Sequence, residues 1–117
     1  MFDIRNLTKV KISKKDRALM KSIFNYIMPK GYELSLVICG NKLARRLNKE
    51  NRGKDYSANV LSFSLDSKMG EVFINIHKAK GGLISLYVHA LAHLRDFNHG
   101  PTMDRLEARV LKKFNLN

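Results

Sequence analysis

Apolar residues recur along this 117-residue chain with two different periods, and the switches between them mark out its elements. Phe2 to Asn6 alternates, which predicts a short strand. From about Lys14 to Ile27 the period becomes helical: Leu19, Ile23, Phe24 and Ile27 form one stripe, Ser13 supplies an N-cap hydroxyl, and Pro29 with Gly31 stops the helix. Tyr32 to Cys39 is β-branched and alternates, which predicts a second strand ending at Gly40. Asn41 then caps a short predicted helix, Lys42 to Asn48, with Leu43 and Leu47 facing inward. Val60 to Leu65 and Glu71 to Ile76 read as two more strands across a turn at Ser67 to Gly70. Gly81 and Gly82 precede a helix over Leu83 to Arg95, and Gly100 with Pro101 opens a last one near Thr102 to Phe114. The order βαβαββαα predicts an α+β fold: one compact domain over residues 1–117, with helices covering a small mixed four-stranded sheet.

Composition changes this picture in two ways. The opening Met1-Phe2-Asp3-Ile4-Arg5 has no apolar leader core and no stretch approaches a membrane span, so a cytoplasmic protein is expected, with no membrane partner. The lone Cys39 fits a small core residue in a reducing compartment. The second change is charge. Lys and Arg number 22 against 10 Asp and Glu, a net +12, which favours a polyanionic partner and nucleic acid above all, against the plainer reading of a solvated basic surface.

The candidate chemistry lies in His89, His93 and His99. On a helix, His89 and His93 stand one turn apart on one face and reach a single point, and His99 can join them if the chain turns back. Three imidazoles suit a zinc ion with its fourth position open to water or substrate, as in catalytic rather than closed structural sites. The competing reading is a cluster of hydrogen-bonded core histidines, and His77 is left to that reading. The basic residues are also unevenly spread. Lys42, Arg45, Arg46, Lys49, Arg52 and Lys54 form a strip opposed by Glu50 alone between Asn41 and Lys54, able either to follow a phosphate backbone or to serve as a solvated helix face.

Four stretches in order carry a more specific signal. Leu47-Asn48-Lys49-Glu50-Asn51-Arg52-Gly53-Lys54-Asp55, Asn59-Val60-Leu61-Ser62-Phe63, Gly70-Glu71-Val72-Phe73-Ile74 and the segment His89 to His99 together resemble the YbeY family of ribosomal RNA maturation endoribonucleases. The resemblance implies that family's compact α+β domain and a zinc-dependent hydrolase cutting single-stranded RNA, in maturation of the 16S 3′ end and in ribosome quality control. It implies one zinc per chain held by His89, His93 and His99, and an Arg52 facing the scissile phosphate, so that Arg52, His89 and His93 form the catalytic group. Lys42, Arg45, Arg46, Lys49, Arg52 and Lys54 would hold the RNA. Small-subunit ribosomal proteins and an assembly GTPase are the implied protein partners.

The chain departs from the family pattern at several positions. Ala90 and Ala92 replace a glycine and a leucine, Asp96-Phe97-Asn98 replaces Gly-Tyr-Asp, and Ala58 and Ser64 stand where threonine and proline are usual. Met103 and Glu107 match a family spacing and read as helix-packing residues. Two other functions fit part of the pattern. Metzincin proteases share the histidine spacing but need a glutamate beside the first histidine, where this chain has Ala90. A non-catalytic, zinc-stabilised RNA-binding assembly factor would keep the metal and lose the reaction.

Overall fold

The computed structural model describes residues 1–79, 82–95 and 101–116, with backbone alone for 101–104. The elements are β1 (Phe2–Asn6), α1 (Lys14–Ile27), β2 (Glu33–Cys39), α2 (Asn41–Arg52), β3 (Val60–Asp66), β4 (Met69–Asn75), α3 (Leu83–Leu94) and α4 (Pro101–Lys113). A short 3-10 turn, Ile76–Lys78, links β4 towards α3. The strands form one sheet in the order β1-β2-β4-β3, in which β1, β2 and β4 run parallel and β3 pairs antiparallel with β4. The predicted α+β fold with a mixed four-stranded sheet is therefore what the chain adopts.

Alternation along the strands sends two residue sets to opposite faces. Leu34, Leu36, Ile38, Val72 and Ile74 join the main core cluster with residues of α1, α3 and α4, while Val37 and Cys39 meet Leu43, Ala44 and Phe73 on the α2 side. Helix α1 begins as expected, with Ser13 Oγ accepting the Asp16 amide at 3.0 Å. It turns extended at Met28, before a proline that cannot prolong it. Helix α3 is held to α1 by the buried Tyr87 hydroxyl, which donates to the Met20 carbonyl at 2.7 Å. Burial pushes the Tyr87 phenol well above its ordinary pKa, so it stays a neutral donor.

Helix α2 differs from the sequence expectation in length and rotation. It runs to Arg52 rather than stopping at Asn48, and Gly40 rather than Asn41 is its N-cap. Lys49 to Arg52 read as loop because they are polar, yet Lys, Glu and Arg are good helix formers on an exposed face. The true stop is Gly53, at φ 68°, whose amide bonds back to Lys49 while the Lys54 amide reaches the Asn48 carbonyl. That left-handed cap suits glycine. Ala44 and Asn48 are the buried positions, and the expected Leu43 and Leu47 are only half-buried. The β3–β4 turn is also tighter than expected, because β4 starts at Met69 and Asp66 Oδ1 accepts the Lys68 amide at 2.7 Å.

Candidate active site

Helix α3 is buried along most of its circumference: Tyr87, Val88, Ala90, Leu91, Ala92 and Leu94 all face the core. His89 and His93, one turn apart, occupy the remaining face. Tyr87 lies two residues before His89, about 200° around the helix, so its bond to α1 fixes the rotation that turns both imidazoles outward. Their Nε2 atoms are 3.2 Å apart, and the rings meet edge to face with centroids separated by 4.7 Å.

The orientation of His89 has a second anchor. Its Nδ1 lies 2.8 Å from Glu107 Oε1 on α4, and both side chains are about two-thirds buried, at 34% and 29% exposure. A carboxylate only accepts, so Nδ1 carries the proton and, in the neutral ring, Nε2 presents a lone pair towards His93. Such a carboxylate–histidine pair fixes the tautomer and the ring orientation. Glu107, read from the sequence as a packing residue, is thus a positioning residue for the imidazole. Its only sequence signal was its family spacing from Met103.

The donor set fits zinc. Two nitrogens bonded to one tetrahedral zinc at 2.0–2.1 Å lie about 3.3 Å from each other, close to the separation found here. His99, Asp96 and Asn98 lie outside the described residues, and among the described residues no three His, Cys, Asp or Glu side chains converge.

Opposite the imidazoles, Arg52 closes the same cleft of about 500 Å³, with Asn59, Val60, Ser62, Ser64 and Leu94 as the other lining residues. Arg52 is 37 residues from His89 in sequence, and two buried carboxamides help bring it there. Asn48 Nδ2 donates to the Tyr56 carbonyl at 3.0 Å. Asn75 Nδ2 donates to Asn41 Oδ1 at 2.8 Å and to the Ala58 carbonyl at 3.2 Å. Together they clamp the loop between Gly53 and Asn59 against α2 and β4. Leu94, on the cleft's other wall, presses on the sheet at Gly70. A Cβ there would meet the Tyr32 hydroxyl and stand 3.0 Å from a Leu94 methyl, so only glycine lets α3 approach this closely.

The basic strip divides. Lys42, Arg45, Arg46 and Lys49 line a separate groove of about 830 Å³, floored by Leu7, Cys39 and Leu43. Lys54 is exposed and lines neither cavity, so Arg52 alone of the strip lines the cleft that holds the imidazoles. Arg45 Nε pairs with Asp55 Oδ1 at 2.8 Å, and Arg46 lies 3.7 Å from Glu50. The hydrogen bond and charge of Arg45 hold the Asp55 carboxyl below its ordinary pKa, and the groove's positive charge is locally reduced. The metzincin alternative gains nothing, since Ala90, where its base would stand, is fully buried.

A family model described as Endoribonuclease YbeY matches residues 3–115. An Endoribonuclease YbeY of Helicobacter pylori is 28% identical over 134 aligned positions, spanning 99% of this chain and 93% of the relative. One from Campylobacter jejuni is 29% identical over 83% of this chain and 84% of its own length. Among solved structures, TM1509 from Thermotoga maritima has the same fold: its solution structure superposes with a TM-score of 0.66 over 97% of this chain and 89% of its own, at 18% identity.

Proposed function

The chain belongs to the YbeY family of endoribonucleases, and on that premise we propose that it hydrolyses single-stranded RNA, using zinc held by His89, His93 and His99. The observation that carries this reading is the convergence of Arg52 with the two imidazoles on one cleft. Zinc held there would supply Lewis acidity and a means of activating water near neutral pH. The protein's own side chains do the rest. Glu107 keeps the His89 proton on Nδ1, so that Nε2 presents the ligating lone pair. Arg52 contributes a fixed, permanently charged guanidinium for the non-bridging phosphate oxygens, favouring the charge that builds up in the transition state. Lys42, Arg45, Arg46 and Lys49, on the far side of α2, hold RNA beyond the cleft, and Lys54 adds charge at the loop. The net charge of +12 supports this partner.

The proposed substrate is ribosomal RNA, at the 16S 3′ end during maturation and in ribosome quality control. The proposed setting is the cytoplasm, with small-subunit proteins and an assembly GTPase as partners. No described helix is long and apolar enough to cross a membrane.

The test is single-turnover cleavage of a labelled single-stranded RNA by wild type and Arg52→Ala at saturating protein, with zinc supplied and then chelated. Arg52→Ala should retain zinc and most RNA affinity while its rate falls about a hundredfold or more, the scale for one lost preorganised donor. If binding and rate fall together and recover at high RNA, Arg52 is one phosphate contact among several. Zinc-loaded, folded wild type that cuts no ribosomal RNA end would leave a non-catalytic assembly factor as the better account.

A further inference from the structure

Among the described residues β3 is an edge strand, bonded only to β4, and it forms one wall of the cleft. The Asn75 amide donates to the Asn59 carbonyl at 2.9 Å, and these two residues are direct partners by extension of the Val60–Ile74 register. Antiparallel ladders alternate hydrogen-bonded and non-bonded pairs. Positions 61 and 63 therefore bond inward to β4, while the N–H and C=O of Val60, Ser62 and Ser64 point to the open edge. The side chains of these same three residues lie on the helix side, in the cleft with Arg52 and the histidines. Ser62 is half-buried and Ser64 exposed.

An extended residue presents its N–H and C=O side by side, a donor next to an acceptor. A phosphate offers acceptors only, so it would leave each outward carbonyl facing an anion. A nucleobase edge offers both, and single-stranded RNA can splay its bases out to be read in this way. We propose that the outward backbone of β3 at Ser62 and Ser64 is a base-reading subsite for a nucleotide flanking the scissile phosphate. This rests on the functional reading above. Ser64 keeps its outward N–H as a donor at the cleft rim, while Ser62, about 6.8 Å along the strand, supplies the next pair. The subsite selects by base, whereas Arg52 and the strip act on phosphate irrespective of sequence.

The experiment is an abasic scan: a single-stranded RNA with one base removed at each position in turn, assayed for binding and single-turnover cleavage. In wild type, removing one particular base near the cut should raise the half-saturating concentration about tenfold, as expected for losing a paired donor and acceptor. Ser64→Pro removes the outward N–H without touching the ladder, a substitution tolerated on an edge strand. It should weaken binding of intact RNA by a smaller factor, one hydrogen bond of the set, and shrink the abasic penalty by that same factor. Ser64→Ala, which keeps the N–H, should show the full abasic penalty of wild type. An abasic penalty as large in Ser64→Pro as in wild type overturns the subsite and leaves the edge open to an extended peptide strand. If Ser64→Pro fails to fold, amide shifts of Ser62 and Ser64 in wild type decide: they should move with intact RNA and stay still with the abasic one, and equal movement overturns the proposal. Wild type that neither binds nor cuts the intact RNA overturns the functional reading, a distinct result, and the subsite with it.

Discussion

On one face of the sheet α1, α3 and α4 bury a cluster in which Met20, Leu36, Tyr87 and Leu91 lie at full depth, whereas on the other face, among the described residues, α2 is the one covering helix, over Val37, Cys39 and Phe73. The two faces hold different kinds of chemistry. Two imidazole nitrogens must be placed within tenths of an ångström to share a ligand, and they sit on the helix that the large core grips most completely. Long cationic side chains following a polyanion need no such placement, and they line the thinly covered side. Precision is put where packing is deep and adaptability where it is shallow, and Arg52 stands where the two meet.

Removing an imidazole should break this contrast most severely. His89→Ala is expected to reduce zinc from about one per chain to a trace by elemental analysis and to lower cleavage about a thousandfold or more. Glu107→Gln should keep the fold and weaken zinc about 10- to 100-fold. Equal zinc content across wild type and these variants would contradict the metal assignment.

The unequal depth of the two faces can be measured by urea unfolding. Leu91→Ala, in the large cluster, should cost about 2–5 kcal/mol, and the half-buried Leu43→Ala on α2 about 1 kcal/mol. Similar losses would mean that α2 packs as firmly as α3.

Charge on the thin face should act on binding rather than on fold. Arg45→Glu with Arg46→Glu is expected to flatten the salt dependence of RNA affinity by about 1.4 in the logarithmic slope, two single-strand phosphate contacts, while zinc content is unchanged. An unaltered slope would make these residues a solvated helix surface.

The smallest effect belongs to the Arg45–Asp55 pair, which is exposed. Because the folded state holds the Asp55 carboxyl below its ordinary value of 3.8, the pair stabilises the fold above that pH and ceases to as the pH falls through the depressed value. Wild type should therefore exceed Asp55→Asn in stability near neutrality and lose that lead in acid, and high salt should shrink it further. A lead that grows on acidification would contradict the sign.

Most of the fold was legible because period and punctuation agree where packing is simple: Ser13 and Pro29 bracket α1, and the alternation in Tyr32 to Cys39 matches a strand buried on both sides. Helix α2 was read too short because its last turn is polar throughout, and because the buried residue that sets its rotation is Asn48, which no hydrophobic pattern reveals. At the site, His89 and His93 announce themselves by helical spacing. Their joining to Arg52 does not, since it depends on Asn48 and Asn75 gripping carbonyls 8 and 17 residues away. Glu107 was hidden for a similar reason: its meaning lies in the packing of α4 on α3, which brings it to His89, 18 residues away in sequence.

Those two carboxamide grips have a thermal consequence. Asn48 and Asn75 are fully buried, but the loop they hold, between Gly53 and Asn59, is exposed from Gly53 to Tyr56 and has Ala58 as its one buried residue. Its opening free energy is therefore set by a few hydrogen bonds rather than by the sheet, and lies well below that of global unfolding. On warming, Arg52 should drift from the histidines while far-UV circular dichroism still reports a native fold. Heat inactivation would then begin as a reversible loss of alignment, recovered on cooling, at temperatures where nothing has yet melted.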